Sequence, residues 1–212
     1  MMSSIGSKRI WFASGNEHKR DELSQVLREA APHVALALPS EAGIAFDPVE
    51  DGATFLENAL IKALSLYTLV HEPVIADDSG LCVDALGGKP GIFSARYGSV
   101  GGKTLDSAAR NALLLRELGG HPERSARFVC AMVLMLDENR FFAVQETLEG
   151  ELIKTISAAR GAGGFGYDPI LFLPEKNCTV AELPQAEKNK ISHRGKAARA
   201  LALVLENGIY GS

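Results

Sequence analysis

The sequence has few cysteines, no long apolar run and no excess of basic residues. Its three cysteines, Cys82, Cys130 and Cys178, are odd in number and widely spaced, so we interpret them as reduced thiols. No apolar stretch approaches the roughly 20 residues that span a bilayer, and the first nine residues lack the apolar segment of a signal peptide. The net charge of −4 provides no basic stripe for a nucleic-acid backbone. We therefore expect a cytoplasmic protein with no nucleic-acid or membrane partner.

The rest of the composition, 46% hydrophobic and 23% charged, is that of an ordinary globular protein. The length predicts one large folding unit, which we place over 9–212, with 1–8 as an N-terminal extension. The apolar run at 9–13 and the helical spacing that follows predict a strand, a tight turn and a helix. Thr54 and Glu57 have the spacing of a capping box, which predicts a second helix.

Strand and helix patterns also alternate in the remainder of the chain. Residues 73–77 predict a buried strand and 104–118 a helix. The apolar runs on either side of 137–139 predict an antiparallel hairpin, so the sheet must be mixed. Short strands at 151–156 and 169–174 and a last helix complete an α/β fold with helices packed around a mixed sheet.

The segment GAGGFG at 161–166 matches the dinucleotide-binding fingerprint, but we reject that interpretation. The fingerprint requires a strand-to-helix turn, whereas Tyr167, Asp168 and Pro169 follow here and lead into an apolar, strand-like run. The glycines would instead let the backbone pass close to a flat ligand. A flexible surface loop is the alternative.

The segment SGNEHK at 14–19 lies at a predicted strand-to-helix junction. Anions bind at such junctions, because the N–H groups of the first helical turn are free and the helix dipole is favourable. Lys19 would add a positive charge for a phosphate group. Alternatively, Asn16 is an ordinary N-cap and Lys19 is solvated.

Carboxylates occur in EDG at 50–52 and in DDSG at 77–80, where we expect the strand to end. Oxygen ligands without a histidine cluster suit Mg²⁺, which takes one or two carboxylates together with substrate phosphates. A cation shared by Glu50 and Asp78 would relieve their repulsion. Alternatively, Asp77 caps a turn and Asp78 faces water.

A basic cluster, Lys188, His193 and Arg194, lies just ahead of the predicted last helix. Two cations and a histidine suit an acidic or carbonyl-bearing ligand, although a solvated surface has the same composition. Taken together, the four segments suggest a nucleotide-like ligand with a metal ion.

The motifs SGNEHK, TFLENALIKA, ADDSGLCVDALGGKPGIFSARYG, GGFGYDP and ISHRG, in this order and spacing, closely resemble the inosine triphosphate pyrophosphatase family. The resemblance covers nearly the whole chain. It implies Mg²⁺-dependent hydrolysis of the non-standard purine nucleotides ITP, dITP and XTP to the nucleoside monophosphate and pyrophosphate. It also implies an elongated, twisted mixed sheet, two α/β lobes with the active-site cleft between them, and a homodimer.

The resemblance further implies a role for each motif. Asp78 would be the catalytic proton acceptor and, with Glu50, a metal ligand, whereas Asp77 would shape the site through hydrogen bonds. The substrate-binding residues would be Ser14, Gly15, Asn16, Glu17, His18 and Lys19 at the phosphates, Ser79 beside Asp78, and Phe165, Gly166, Tyr167, Asp168, Lys188, His193 and Arg194 at the base.

Selection of the base would follow from hydrogen bonding. A donor such as Arg194 suits the 6-oxo group of hypoxanthine and is left unpaired by the 6-amino group of adenine. Phe165 would stack on the purine, and Lys62 would reach the phosphates or be solvated. Two alternatives remain: a Maf-type pyrophosphatase acting on other nucleotides, and a nucleotide-binding protein without catalysis.

Overall fold

The computed structural model describes residues 8–206. The predicted extension at 1–8 lies outside the described residues except for Lys8. The helices in this range are α1 (Glu17–Ala30), α2 (Phe55–Val70), α3 (Ser107–Leu118), α4 (Gln185–Ile191) and α5 (His193–Glu206). The strands are β1 (Lys8–Phe12), β2 (Val34–Ala37), β3 (Val74–Val83), β4 (Ser125–Asp137), β5 (Arg140–Leu152), β6 (Leu171–Leu173) and β7 (Cys178–Thr179).

The strands form one mixed sheet in the order β2-β1-β3-β4-β5-β6-β7. β1 pairs in parallel with β2 and β3, whereas β6 pairs antiparallel with β5 and β7. β4 and β5 are joined by residues 138 and 139 alone, and so short a connection requires the predicted antiparallel hairpin. The predicted α/β fold with a mixed sheet and flanking helices is confirmed.

Several strands differ from the prediction. β2 has only four residues and no clear alternation, so it was not predicted. A separate strand at 151–156 is wrong, because β5 continues to Leu152 and a short helical turn follows at Ile156–Ala158. Among residues 8–206, no helix combines the length and apolarity needed to cross a membrane.

The chain divides into two compact units. Of the described residues, the first unit contains 8–78, Cys130–Glu146 and 194–206, and the second contains Ser79–Val129 and Thr147–His193. The second unit has its own apolar core, which includes Leu81, Leu114 and Ile170. A single domain over 9–212 and a cleft between lobes stay predictions.

In the first unit, the two faces of the sheet pack against different helices. Ile10 and Phe12 of β1 share a core with apolar residues of α1 and α5. Trp11, between them, shares a second core with apolar residues of α2. Successive strand residues point to opposite faces. The position of a residue along a strand therefore decides which helices its side chain meets.

Candidate active site

The paired aspartates lie inside β3, not at its end as predicted. The strand runs from Val74 to Val83, so the expected end of the strand at 77–80 is wrong. Gly80 serves close packing instead of a turn. A Cβ atom added there would lie 2.4 Å from the Ser94 Oγ atom, and that hydroxyl accepts a hydrogen bond from the Leu81 N–H at 2.8 Å.

Because β3 continues through both aspartates, their side chains point to opposite faces of the sheet. Asp77 lies two residues after Ile75 and therefore points to the same face of the sheet, where Ile75 shares a core with apolar residues of α1 and α5. Asp78 lies two residues after Ala76 and points to the other face, where Ala76 shares a core with apolar residues of α2. The two carboxylates therefore have separate surroundings, although they are adjacent in sequence.

Asp77 is fully buried and paired with two cations. Its Oδ2 atom lies 3.1 Å from Lys19 Nζ and accepts a hydrogen bond of 3.1 Å from Arg194 Nε. Arg194 also donates through Nη1 to Glu22 on α1. Burial alone would raise the pKa of Asp77, but the charges of Lys19 and Arg194 outweigh it and hold that pKa well below its usual range. Asp77 is thus an ionised carboxylate in a buried charge network, and the turn-cap interpretation is wrong.

Asp78 contacts α2. Its Oδ2 atom accepts a hydrogen bond of 3.1 Å from the Asn58 side chain, and its Oδ1 atom lies 3.7 Å from Lys62 Nζ. Lys62 also donates to Glu50 Oε2 at 3.0 Å. Burial raises the pKa of Asp78, and the Lys62 charge offsets only part of that effect. With side-chain exposures of 8% for Lys62 and 11% for Asp78, the solvated interpretations of both residues are wrong.

The carboxylates around Lys62 are chemically suited to a divalent cation. Among residues 8–206, no group of three or more His, Cys, Asp or Glu side chains is placed to hold a metal by itself. Glu50 and Asp78, however, both lie within 4 Å of the Lys62 ammonium, so they already converge on one positive charge. Two such carboxylates with phosphate oxygens are a usual Mg²⁺ environment.

The segment 14–19 forms the predicted start of α1. Asn16 is the N-cap, and its side chain accepts a hydrogen bond of 3.2 Å from the Lys19 N–H, so the ordinary N-cap interpretation is confirmed. Gly15, Asn16, Glu17 and His18 are exposed, and Ser14 is half-buried. Lys19 is not solvated, because its ammonium turns inward to Asp77 and its side chain is 14% exposed.

In the second unit, Phe165, Asp168 and Lys188 come together. Asp168 Oδ2 accepts one hydrogen bond from the Phe165 N–H and another from Lys188 Nζ, both at 2.8 Å. Lys188 Nζ also lies 5.0 Å from the centre of the Phe165 ring. Lys188 and Asp168 are buried, so the solvated interpretation of Lys188 is wrong.

The glycine-rich segment is not a dinucleotide fingerprint, since the next regular element is strand β6 rather than a helix. Several of its glycines pass close to the protein itself. An added Cβ would lie 1.9 Å from Asp168 Oδ2 at Gly164 and 2.3 Å from the Ala181 carbonyl carbon at Gly161. At Gly166, by contrast, an added Cβ would meet nothing within 4 Å.

The remaining predicted base-pocket residues are largely buried. The Tyr167 hydroxyl donates to the Ser94 carbonyl at 2.9 Å, and burial raises the pKa of Tyr167 to about 12. His193, the first residue of α5, stacks on Phe128 with ring centres 4.9 Å apart. Ser79 is half-buried on β3.

Three polar residues were missed by sequence reasoning: Glu22, Asn58 and Asn111. Asn111 donates to the Gly166 carbonyl at 3.0 Å. The spacing of Asn58 and Lys62, four residues apart on the predicted second helix, was an available signal, because it places both on one face. Glu22 and Asn111 have no comparable pattern.

The chain is similar to proteins of known family over nearly its whole length. The Ham1 family model matches residues 10–204. A dITP/XTP pyrophosphatase of Treponema denticola is 53% identical over 189 residues, covering 89% of this chain and 94% of that protein. One from Ralstonia nicotianae is 43% identical over 205 residues, covering 94% of this chain and 96% of that protein.

A solved structure shows the same fold. A Ham1 protein from Coxiella burnetii has a TM-score of 0.83 and 39% identity, covering 94% of this chain and 99% of that one. Together with the family model, which spans more than half of the chain, this agreement confirms the resemblance recognised in the motifs. The chain belongs to the Ham1 family.

Proposed function

We propose that this protein hydrolyses the non-standard purine nucleoside triphosphates ITP, dITP and XTP to the nucleoside monophosphate and pyrophosphate, and so cleanses the nucleotide pool. The observation that carries the proposal is the convergence of Glu50 and Asp78 on one positive charge, with Asp78 buried on β3. The printed name of the Treponema denticola relative, a dITP/XTP pyrophosphatase, supports the choice of substrate.

The triphosphate would be held at the start of α1. The exposed residues 15–18 surround the N-terminus of the helix, where free N–H groups and the helix dipole favour an anion. Lys19, which follows them, supplies a positive charge at the same end of the helix. We assign phosphate binding to this segment, Ser14 included.

Glu50 and Asp78 would hold Mg²⁺. When bound, this ion neutralises charge on the phosphate oxygens and on the departing pyrophosphate. Lys62 keeps the two carboxylates together, because its ammonium contacts both of them. It also provides a second cation for the developing negative charge.

The two aspartates of β3 would have different roles in the reaction. Asp78 would take the proton of the water that attacks the α-phosphorus, since it is a buried carboxylate beside the proposed ion site. Asp77 is unsuited to that role, because Lys19 and Arg194 occupy its oxygens and lower its pKa. It instead holds Lys19 and Arg194 in position.

The second unit would bind the base. Phe165 offers a half-buried ring for stacking, backed by the Lys188–Asp168 ion pair. Gly166, Tyr167 and His193 complete the proposed pocket, with Ser79 next to Asp78 in sequence. The contacts of Arg194 do not support the predicted hydrogen bond to the 6-oxo group of the base, because Arg194 is 2% exposed and is bound to Asp77 and Glu22.

A substrate panel tests the proposal. ITP, dITP, XTP, GTP, ATP, dTTP and UTP are each incubated with Mg²⁺, and phosphate and pyrophosphate are measured separately, with Asp78→Asn as the control. We expect pyrophosphate from the first three nucleotides and little turnover of the others. Preference for dTTP or UTP would favour a Maf-type enzyme, and binding without product a catalytically silent protein.

We further propose a homodimer in the cytoplasm. Light scattering of the purified protein tests the assembly, since a homodimer has twice the chain mass of 22.6 kDa. A measured mass equal to that of one chain would refute it.

A further inference from the structure

Asn58 makes two hydrogen bonds that lead to the two predicted metal ligands. It lies on α2 and is 1% exposed. Its Nδ2 atom donates to Asp78 Oδ2 at 3.1 Å, and its Oδ1 atom accepts from the Gly52 N–H at 2.9 Å. Gly52 follows Glu50 by two residues. The Asn58 amide thus connects the loop of Glu50 to the carboxylate of Asp78.

The partners fix the orientation of this amide. If it were reversed, its oxygen would face the carboxylate of Asp78 and its NH₂ group would face the Gly52 N–H, and both contacts would be repulsive. The contact with Gly52 is also tight, because a Cβ added at Gly52 would lie 2.8 Å from Asn58 Oδ1 and 2.7 Å from Glu57 Cβ. The loop therefore has one close-fitting position on α2.

The bond to Asp78 also distinguishes the two carboxylate oxygens. Oδ2 is occupied by Asn58, whereas Oδ1 is the atom that lies 3.7 Å from Lys62 Nζ. Glu50 Oε2 lies 3.0 Å from the same ammonium. With Asp78 Oδ2 and the Gly52 N–H both held by Asn58, Glu50 Oε2 and Asp78 Oδ1 lie on either side of the same Lys62 ammonium.

We infer that Asn58 is a positioning residue that aligns Glu50 and Asp78 for a shared divalent cation. The inference rests on the proposed function, in which these two carboxylates hold the metal. Residues that orient metal ligands typically change metal affinity or activity by about 10–100-fold when they are replaced. We expect a loss of that size for Asn58→Ala. Alanine favours helix more than asparagine does, so α2 itself should not be weakened.

Two variants test whether Asn58 positions the carboxylates: one changes Asn58 itself, and the other changes its partner Gly52. Asn58→Ala removes both hydrogen bonds, and Gly52→Ala forces the loop away from α2 without touching a carboxylate. Thr68→Ala, a polar change on an exposed part of α2, and Gly120→Ala, at a glycine whose added Cβ meets nothing within 4 Å, are the matched controls. Circular dichroism establishes that each variant is folded.

Electron paramagnetic resonance of the free ion measures how tightly each variant binds Mn²⁺ in the absence of nucleotide. A second assay measures ITP turnover as a function of the Mg²⁺ concentration. We expect both site variants to bind Mn²⁺ about 10-fold or more weakly and to need correspondingly more Mg²⁺, with both controls unchanged. Wild-type affinity for Mn²⁺ in folded Asn58→Ala or Gly52→Ala would overturn the inference. Failure of the wild-type protein to bind Mn²⁺ would instead overturn the metal assignment of Glu50 and Asp78.

Discussion

The buried charge network around Asp77 predicts a large loss of stability for Arg194→Met. The side chains of Arg194 and Asp77 are 2% and 0% exposed, and that of Glu22 is 8% exposed. Methionine fills much of the space of the arginine stem, so the main change is the removal of a charge from two buried carboxylates. Breaking a buried ion pair in this way costs about 3–5 kcal/mol, which for a protein of this size lowers the melting temperature by about 6–20 °C.

Urea denaturation at pH 7 measures this loss. The matched control is Arg140→Met, because Arg140 pairs with Asp137 at the surface, with side chains 57% and 43% exposed. Exposed pairs contribute about 0–1 kcal/mol, so the control should remain near the wild-type value. If Arg194→Met lost no more stability than Arg140→Met, the network would not hold Asp77 as described.

Three further predictions concern the site. Asp78→Asn should lower turnover of ITP by about 10²–10⁴-fold, which is the usual contribution of a general base. The protein should remain as stable as before, because burial already disfavours the charged form of Asp78. Normal turnover of ITP by this variant would remove Asp78 from the mechanism. If Arg194 also donates to the 6-oxo group, Arg194→Met narrows the ratio of ITP to ATP turnover, and an unchanged ratio excludes that contact. Tyr167 keeps its proton to about pH 12 in the fold but loses it near pH 10 when unfolded, so the wild-type protein should lose about 2 kcal/mol more stability than Tyr167→Phe between pH 9 and 12; equal losses would contradict the raised pKa.

The periodic parts of the fold were predictable from sequence. The second helix with its Thr54 capping box, the last helix and the hairpin at 137–139 were predicted from local patterns, and the structure contains each of them. The end of β3 was not predictable in this way. The pattern DDSG is typical of a turn, but in the fold Gly80 provides room for Ser94, a contact between residues distant in sequence.

The sequence indicated which segments form the site, but not which of their side chains contact one another. The motifs singled out Asp77, Asp78 and Lys19, yet nothing local indicated that the two aspartates face different helices. That division depends on β3 continuing through both, and its consequences, such as the Arg194–Glu22 contact, join residues far apart in the chain. Long-range ion pairs of this kind leave no periodic signal in a single sequence.

The central claim is that water attacks the α-phosphorus of ITP, so that the nucleoside monophosphate and pyrophosphate are released. Hydrolysis in ¹⁸O-labelled water tests it most directly, with the label located in the products by mass spectrometry. We expect IMP and pyrophosphate, with one ¹⁸O atom in IMP and none in pyrophosphate. Label in the pyrophosphate, or formation of IDP and phosphate, would contradict the account.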